Sequence, residues 1–254
     1  MGAIAGYVGG GPALDVVLEG LRRLDGAGEG AGFDSAGVAV VADGGIAAAT
    51  RAGGLADLDK ELADRPLPDA RTGIGHLRRA GRGAVSDLNA HPHLDNAGRV
   101  AVVHNGTLAN SAALRAELSG RGHELVSETD TEAVAHLLAE ALSSCGELAE
   151  AMRQVCRRLE GGYALVAVHA DAPGIAVGAC RGAPLAVGVA DGDGDGEFHL
   201  ASDTAAFLAH TRDVVEPDPE PGRIVEVRRG GGVSVTDLDG RAVDARVRTA
   251  GEDR

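Results

Sequence analysis

The chemistry-bearing residues of this 254-residue chain sit in short polar islands between apolar runs. Four histidines, His76, His91, His93 and His104, suggest a metal by type, yet they stand on separate segments without the spacing that zinc ligands keep. The run DGDGDG at 191–196 copies the first half of a calcium loop, but its twelfth position is Ser202 where a bidentate Glu is needed, so it reads as a solvated hairpin turn. Cys145, Cys156 and Cys180 are odd in number and fall at helical-core or strand positions, which argues against a disulfide framework, a zinc site or a thiol nucleophile. Arg78 can clamp a carboxylate with two parallel N–H donors or form an ordinary surface ion pair. Asn105-Gly106 is a turn signal, and Asp130, at an expected helix start, complements the helix dipole.

The elements around these residues follow from periodicity. Residues 3–9 are apolar and Gly-bounded, a strand; Leu14, Val17, Leu18, Leu21 and Leu24 then share one face of a helix. The stretch 26–33 is too Gly-rich for regular structure, and 36–43 with 46–53 form a hairpin across Gly44 and Gly45. Segments 72–80 and 99–107 are strands, 111–120 is a helix, and Thr129 with Glu132 make a capping box ahead of Val134, Leu137, Leu138, Ala141 and Leu142. A third helix carries Leu148, Met152, Val155, Cys156 and Leu159 on one side. Beyond Gly162, five short runs separated by Gly, Pro and Asp suggest successive antiparallel strands, with PDPEPG (217–222) joining two of them. Strands, then helices, then strands predict a layered α+β fold of antiparallel sheets with helices outside, as a single domain.

Taken in order, IAGYVG (4–9), LEGLRRL (18–24), FDSAG (33–37), GIGHLR (73–78), NAHPH (89–93), VVHNG (102–106), SETDTE (127–132), GAPL (182–185) and ASD (201–203) carry a resemblance. Over roughly residues 1–240 the chain resembles the class II, N-terminal-nucleophile glutamine amidotransferase domains, and among them the glutaminase domain of glucosamine-6-phosphate synthase more than the purine-pathway branch. The resemblance implies the N-terminal-nucleophile hydrolase fold, a four-layer αββα sandwich of two antiparallel sheets. It assigns residues 2–240 to the amidotransferase-like domain and 241–254 to a polar C-terminal tail, with no sugar isomerase domain. It also implies roles: Arg78 for the substrate α-carboxylate, Asp130 for its α-ammonium, and Asn105 and Gly106 for the oxyanion.

In that family an N-terminal cysteine, exposed by loss of methionine, attacks the glutamine amide with its own α-amine as base. Here the matching position is Gly2, which has no side chain to attack with. The family's arginine before the FDSAG segment falls on Ala31, and its RWATHG becomes RRAGRG at 78–83, putting Arg79, Gly81 and Arg82 where Trp, Thr and His stand. The recognition half of a glutamine site is thus present in the sequence and the reactive half absent. A cysteine introduced at position 2 would be expected to leave ligand affinity largely unchanged.

Composition limits the partners. A net charge of -14 repels phosphate backbones and anionic membranes, which sets nucleic acid and membrane aside; no window reaches the ~18 apolar residues of a membrane span. The cysteine usage fits a reducing cytoplasm, and no cofactor or metal is implied. Two functions compete. One is a pseudoenzyme that binds L-glutamine or another α-amino acid and regulates or scaffolds a separately encoded synthase. The other is an active amide-processing enzyme with a redirected mechanism, delivering ammonia or an acyl group to such a synthase.

Overall fold

The computed structural model describes residues 2–27, 32–192 and 194–250. Every residue of β1 (Ala3–Val8) is buried. Ala3, Ala5 and Tyr7 face outward to helices while Ile4 and Val8 face a second sheet, so a strand covered on both sides reads as an unbroken apolar run. Helix α1 (Ala13–Ala27) buries Val17, Leu18, Leu21 and Leu24 against the sheet, as the spacing predicts. It runs further than composition suggested: Gly26 and Ala27 belong to the helix and not to the Gly-rich loop. One glycine costs only about 1 kcal/mol there, which a helix already anchored by its leucine stripe absorbs. Ala31 lies outside the described residues.

The hairpin of β2 (Ser35–Ala42) and β3 (Gly45–Ala52) closes on Asp43 and Gly44, both at positive φ, a turn whose twist suits paired strands. Helix α2 (Leu55–Asp64), not legible from periodicity, buries only Leu55 and Leu58. The strand β4 (Thr72–Arg78) lies between β1 and β2. After it come β5 (His93–Leu94), β6 (Val100–Leu108), α3 (Ser111–Gly120), α4 (Asp130–Cys145) and α5 (Leu148–Cys156). The strands β7 (Gly161–His169), β8 (Ile175–Arg181), β9 (Ala186–Ala190), β10 (Glu197–Ala201), β11 (Asp213–Val215), β12 (Arg223–Arg228), β13 (Gly232–Thr236) and β14 (Arg248–Thr249) complete the fold.

Two antiparallel sheets result, ordered β14-β11-β9-β10-β1-β4-β2-β3 and β13-β12-β8-β7-β6-β5. Ile4, Ile74, Val103, Val166, Val187 and Leu200 pack in the core between them. Helices α1 and α2 cover the larger sheet, and α3, α4 and α5 cover the smaller, giving the expected αββα sandwich. Two expectations need correction. The late strands do not form one continuous meander: β7 pairs with β8 and β9 with β10 as successive antiparallel neighbours, but β8 and β12 lie in the smaller sheet while β9, β10 and β11 lie in the larger. The chain crosses between layers at 182–185 and 216–222, where Gly and Pro break the ladder. The segment read as a polar tail also returns to the fold, since Val243 and Ala245 pack on the inner core and β14 pairs with β11 at the sheet edge.

Gly37 in β2 brings the polar loops onto this scaffold. A Cβ there would overlap the His91 carbonyl oxygen and lie 2.9 Å from that of Ala49, so the absence of a side chain lets the 89–93 segment lie directly on the sheet. Gly37→Ala should therefore lower unfolding free energy by about 1–3 kcal/mol in denaturant titration, the cost of overpacking; an unchanged midpoint and slope would contradict this packing.

Candidate functional site

The ends of β1, β4 and β6 meet at one edge of the sandwich, where α4 begins. Gly2 immediately precedes β1, Arg78 ends β4, Asn105 and Gly106 lie near the end of β6, and Asp130 opens α4. All five sequence-selected residues line one cavity of about 390 Å³, together with Arg79, Gly81, Arg82, His76, His91, His104, Thr107 and Thr129. A hollow of about 470 Å³ elsewhere, floored by Val100, Leu142, Leu148 and Ile175, contains none of them.

Gly2 is enclosed by its neighbours. Asn105 Nδ2 donates to the Gly2 carbonyl at 2.9 Å, and Asn105 Oδ1 accepts from His76 Nε2 at 2.9 Å. A carbonyl oxygen only accepts, so the His76 proton is on Nε2. A Cβ built on Gly2 would lie 2.5 Å from Asn105 Oδ1, 2.7 Å from His76 Nε2 and 2.7 Å from the Leu77 carbonyl oxygen. Two of those atoms end side chains, but the third is backbone held in the β1–β4 ladder. A cysteine at position 2 thus cannot enter without displacing one or more of these neighbours.

Arg78 is 5% exposed, and its Nη2 donates to the Arg82 and Gly83 carbonyls, so the 79–83 loop folds over its own guanidinium. Its Nη1 is buried with no partner among the described residues. Burial weighs against the Arg78 charge, and Asp34, Asp130 and Glu128 oppose that penalty. The loop is fastened at both ends: Ala80 N–H donates to Asp34 Oδ2 at 2.7 Å and Ala84 N–H to Glu128 Oε2 at 3.0 Å. Arg79 and Arg82 are exposed, with the Arg79 guanidinium 5.4 Å from the Phe33 ring centre.

Asp130 Oδ2 accepts the Leu108 N–H at 2.9 Å, locking α4 to the end of β6. Its Oδ1 is 3.5 Å from His104 Nδ1, which is also 3.2 Å from Thr131 Oγ1. Burial opposes ionisation of Asp130, but the His104 hydrogen bond and charge and the Leu108 N–H outweigh it and hold the carboxyl below its ordinary range. His104 Nδ1 faces the Asp130 carboxylate, and its Nε2 is buried with no partner among the described residues. His104 precedes Asn105, but nothing in the sequence signalled this role.

The expected capping box does not form. Thr129 is the N-cap residue of α4, yet its side chain makes no cap bond; its Oγ1 meets His93 Nε2 at 2.8 Å and Ser127 Oγ at 3.1 Å. Glu132 instead accepts from Val126 N–H, Ser127 N–H and Ser127 Oγ at 2.7, 2.9 and 2.8 Å. Donors of the loop before the helix take the Glu132 carboxylate, and Ser127 and His93 take the Thr129 hydroxyl.

His76, His91 and His93 come together despite their separation in sequence, with ring centres 4.6 and 5.0 Å apart. Among the described residues no group of three or more His, Cys, Asp or Glu has the arrangement to hold a metal. Burial pushes His76 down to about 3, His93 to about 4 and His91 well below its ordinary value. These imidazoles are neutral when folded and protonate near 6.5 when unfolded, so their effect is nil above about pH 7 and grows as pH falls toward the folded values. His76 and His93 should each cost about 2 kcal/mol at pH 5. The Asp130 and Glu132 carboxylates, both depressed, lose their contribution only below about pH 4. Unfolding free energy measured in urea should therefore fall steeply from pH 7 to pH 5; a flat profile across that window would contradict a neutral buried cluster.

The glutamine amidotransferase domain model matches residues 78–209. Over 246 residues the chain is 63% identical to a Streptomyces coelicolor protein named glutamine--fructose-6-phosphate aminotransferase (isomerizing), covering 97% of the chain and 38% of that relative. A Corynebacterium diphtheriae protein of the same name is 45% identical over 92% of the chain and 36% of its own length. The chain thus spans little more than a third of the relatives it matches. Among solved structures, the allosteric regulatory enzyme of purine biosynthesis superposes with a TM-score of 0.75 at 24% identity, over 93% of this chain and 49% of that one. The glutamine phosphoribosylpyrophosphate amidotransferase of B. subtilis gives 0.73 at 23% identity over the same shares, and both speak to the fold alone. The chain belongs to the class II glutamine amidotransferase domain family, with the fold of the N-terminal-nucleophile hydrolases and its nearer kinship among glutamine--fructose-6-phosphate aminotransferases.

Proposed function

We propose that this domain recognises a free α-amino acid without hydrolysing a side-chain amide, and serves as a regulatory or scaffold partner of a separately encoded synthase. The observation that carries the reading is position 2. Where the family's thiol would stand there is a glycine, and the volume of a Cβ is filled by Asn105, His76 and the Leu77 carbonyl. No other cysteine substitutes: Cys156 and Cys180 are buried, their thiols pushed up to about 12 by burial, and Cys145 ends α4, about 20 Å from the cavity at 1.5 Å per residue.

Recognition has support in the same cavity. The unpartnered Arg78 Nη1 offers a donor to an α-carboxylate, while the Asp130 carboxylate offers acceptors to an α-ammonium. Each charge-assisted contact contributes about 1.5–3 kcal/mol when sheltered and about 0.2–1 kcal/mol when exposed. Affinities on the order of 0.1–10 mM follow. The competing reading, an amide-processing subunit, draws on the presence of Asn105 and Gly106; against it, Asn105 Nδ2 is committed to the Gly2 carbonyl.

The purified chain should release no ammonia from glutamine above the uncatalysed rate, while calorimetry detects weak binding that Arg78→Ala and Asp130→Ala each abolish. Gly2→Cys should lower unfolding free energy by about 1–3 kcal/mol through overpacking and restore little or no hydrolysis. Ammonia release that stays proportional to the chain through successive purification steps would refute the proposal.

A further inference from the structure

Independently of that reading, we infer that the hollow at the far end of the sandwich binds a small organic cation with an apolar body, a primary ammonium on a hydrocarbon frame. It encloses about 470 Å³, within the range of small-molecule sites. The two elements that carry Asn105 and Asp130 reach it at their other ends. Val100 opens β6, about 17 Å before Asn105 at about 3.4 Å per residue. Gly146 caps α4, about 24 Å beyond Asp130 at about 1.5 Å per residue. The hollow is therefore separate from the cavity around Gly2.

Its walls are fastened in place. Asp95 accepts the N–H groups of Ala97, Arg99 and Val100 at 3.1, 2.7 and 2.8 Å, which fixes the turn into β6. Arg99 pairs with Asp171 in the turn between β7 and β8. Gly146, at φ 76°, turns the chain from α4 into α5. The floor is apolar: Val100 and Leu148 belong to the core beneath, while Ala139, Leu142 and Ile175 are only partly buried against it.

The rim is anionic. Asp95, Glu147, Asp171 and Glu226 line the hollow. Two guanidiniums answer these four carboxylates, Arg99 on Asp171 and also near Asp95, and Arg228 on Glu226 from outside the lining. Arg229, next to the β7–β8 turn, is taken by Asp195. His169 accepts the Asp171 N–H on Nδ1 at 3.3 Å, and burial lowers its basicity, so it adds no charge at neutral pH. Ser143 Oγ donates to the Glu140 carbonyl at 2.7 Å and keeps acceptor capacity. The last turn of α4 supplies the negative end of the helix dipole and no basic residue. Acceptors in a negative field above an apolar floor complement an ammonium on a hydrocarbon body; an anion of the same shape is repelled, and a neutral analogue gains the floor alone.

The test uses three probes of one shape, 2-phenylethylammonium, 2-phenylethanol and 3-phenylpropanoate, titrated into the intact chain at pH 7.5 and fixed ionic strength and followed by amide chemical shifts. The ammonium should bind with a dissociation constant of about 0.1–10 mM and at least about fivefold more tightly than the alcohol, with shifts confined to residues 95–100, 139–148 and 169–175, while the carboxylate gives none there. Glu147→Gln, at an exposed position, should weaken the ammonium about two- to fivefold and leave the alcohol unchanged. Ala139→Leu and, as a second filling variant on a turn, Ala172→Leu should each remove binding of both; the one that keeps the wild-type melting temperature decides. Alcohol or carboxylate binding as tightly as the ammonium would overturn the inference. So would shifts scattered over the acidic surface, binding that survives in a folded filling variant, or no binding of the ammonium at tens of millimolar.

Discussion

One side chain joins the two sheets at the mouth of the cavity: Asn105 on β6 donates to the carbonyl of Gly2 at the head of β1 and accepts from His76 on β4. The arrangement requires that residue 2 have no Cβ, because that atom would fall within 2.7 Å of all three surrounding oxygens and nitrogens. Much else follows from this constraint. His76 is held as a donor toward Asn105, its ring lies tilted against that of His91, and His91 continues to His93, which meets the Thr129 hydroxyl at the start of α4. The edge of the sandwich is therefore a continuous polar bridge from the first strand to the fourth helix.

That bridge is costly, and its protonation states keep it tolerable. Burying charged imidazoles together would combine desolvation with mutual repulsion, and their depressed basicity avoids both. Asp130 and Glu132 remain ionised because each is surrounded by N–H or O–H donors: Leu108 and His104 for the first, Val126 and Ser127 for the second. Arg78 lies between these regimes, its Nη2 satisfied by the loop carbonyls and its Nη1 unpartnered. A buried unmet donor costs free energy that a bound carboxylate would recover, which connects packing to the proposed recognition.

The layer order was legible because strands covered on both faces read as unbroken apolar runs and the outer helices carry leucine stripes: β1, α1, α3 and α5 all follow their periodicity. Helix α2, with two buried leucines, lacked enough pattern to be seen, and the exchange of β8 and β9 between sheets is a matter of non-local pairing that local spacing does not encode. At the site, Gly2, Arg78, Asn105, Gly106 and Asp130 could be chosen from ordered motifs, and they line one cavity. Their partners could not. The Thr129 and Glu132 spacing satisfies a capping-box pattern, yet competing donors in 126–128 claim both side chains. The histidines stand on separate segments of the sequence, and the approach of loop 89–93 to β2 at Gly37 brings His91 and His93 beside His76.

The central claim is recognition without hydrolysis, and one tube can report on both. Glutamine labelled with nitrogen-15 at its amide, incubated with the purified chain and observed by NMR, gives saturation transfer to its aliphatic protons if it binds and a labelled ammonium signal if it is cleaved. The account predicts saturation transfer that competing L-glutamate removes, with labelled ammonium no higher than in a protein-free control. Ammonium accumulating in proportion to protein concentration would contradict it.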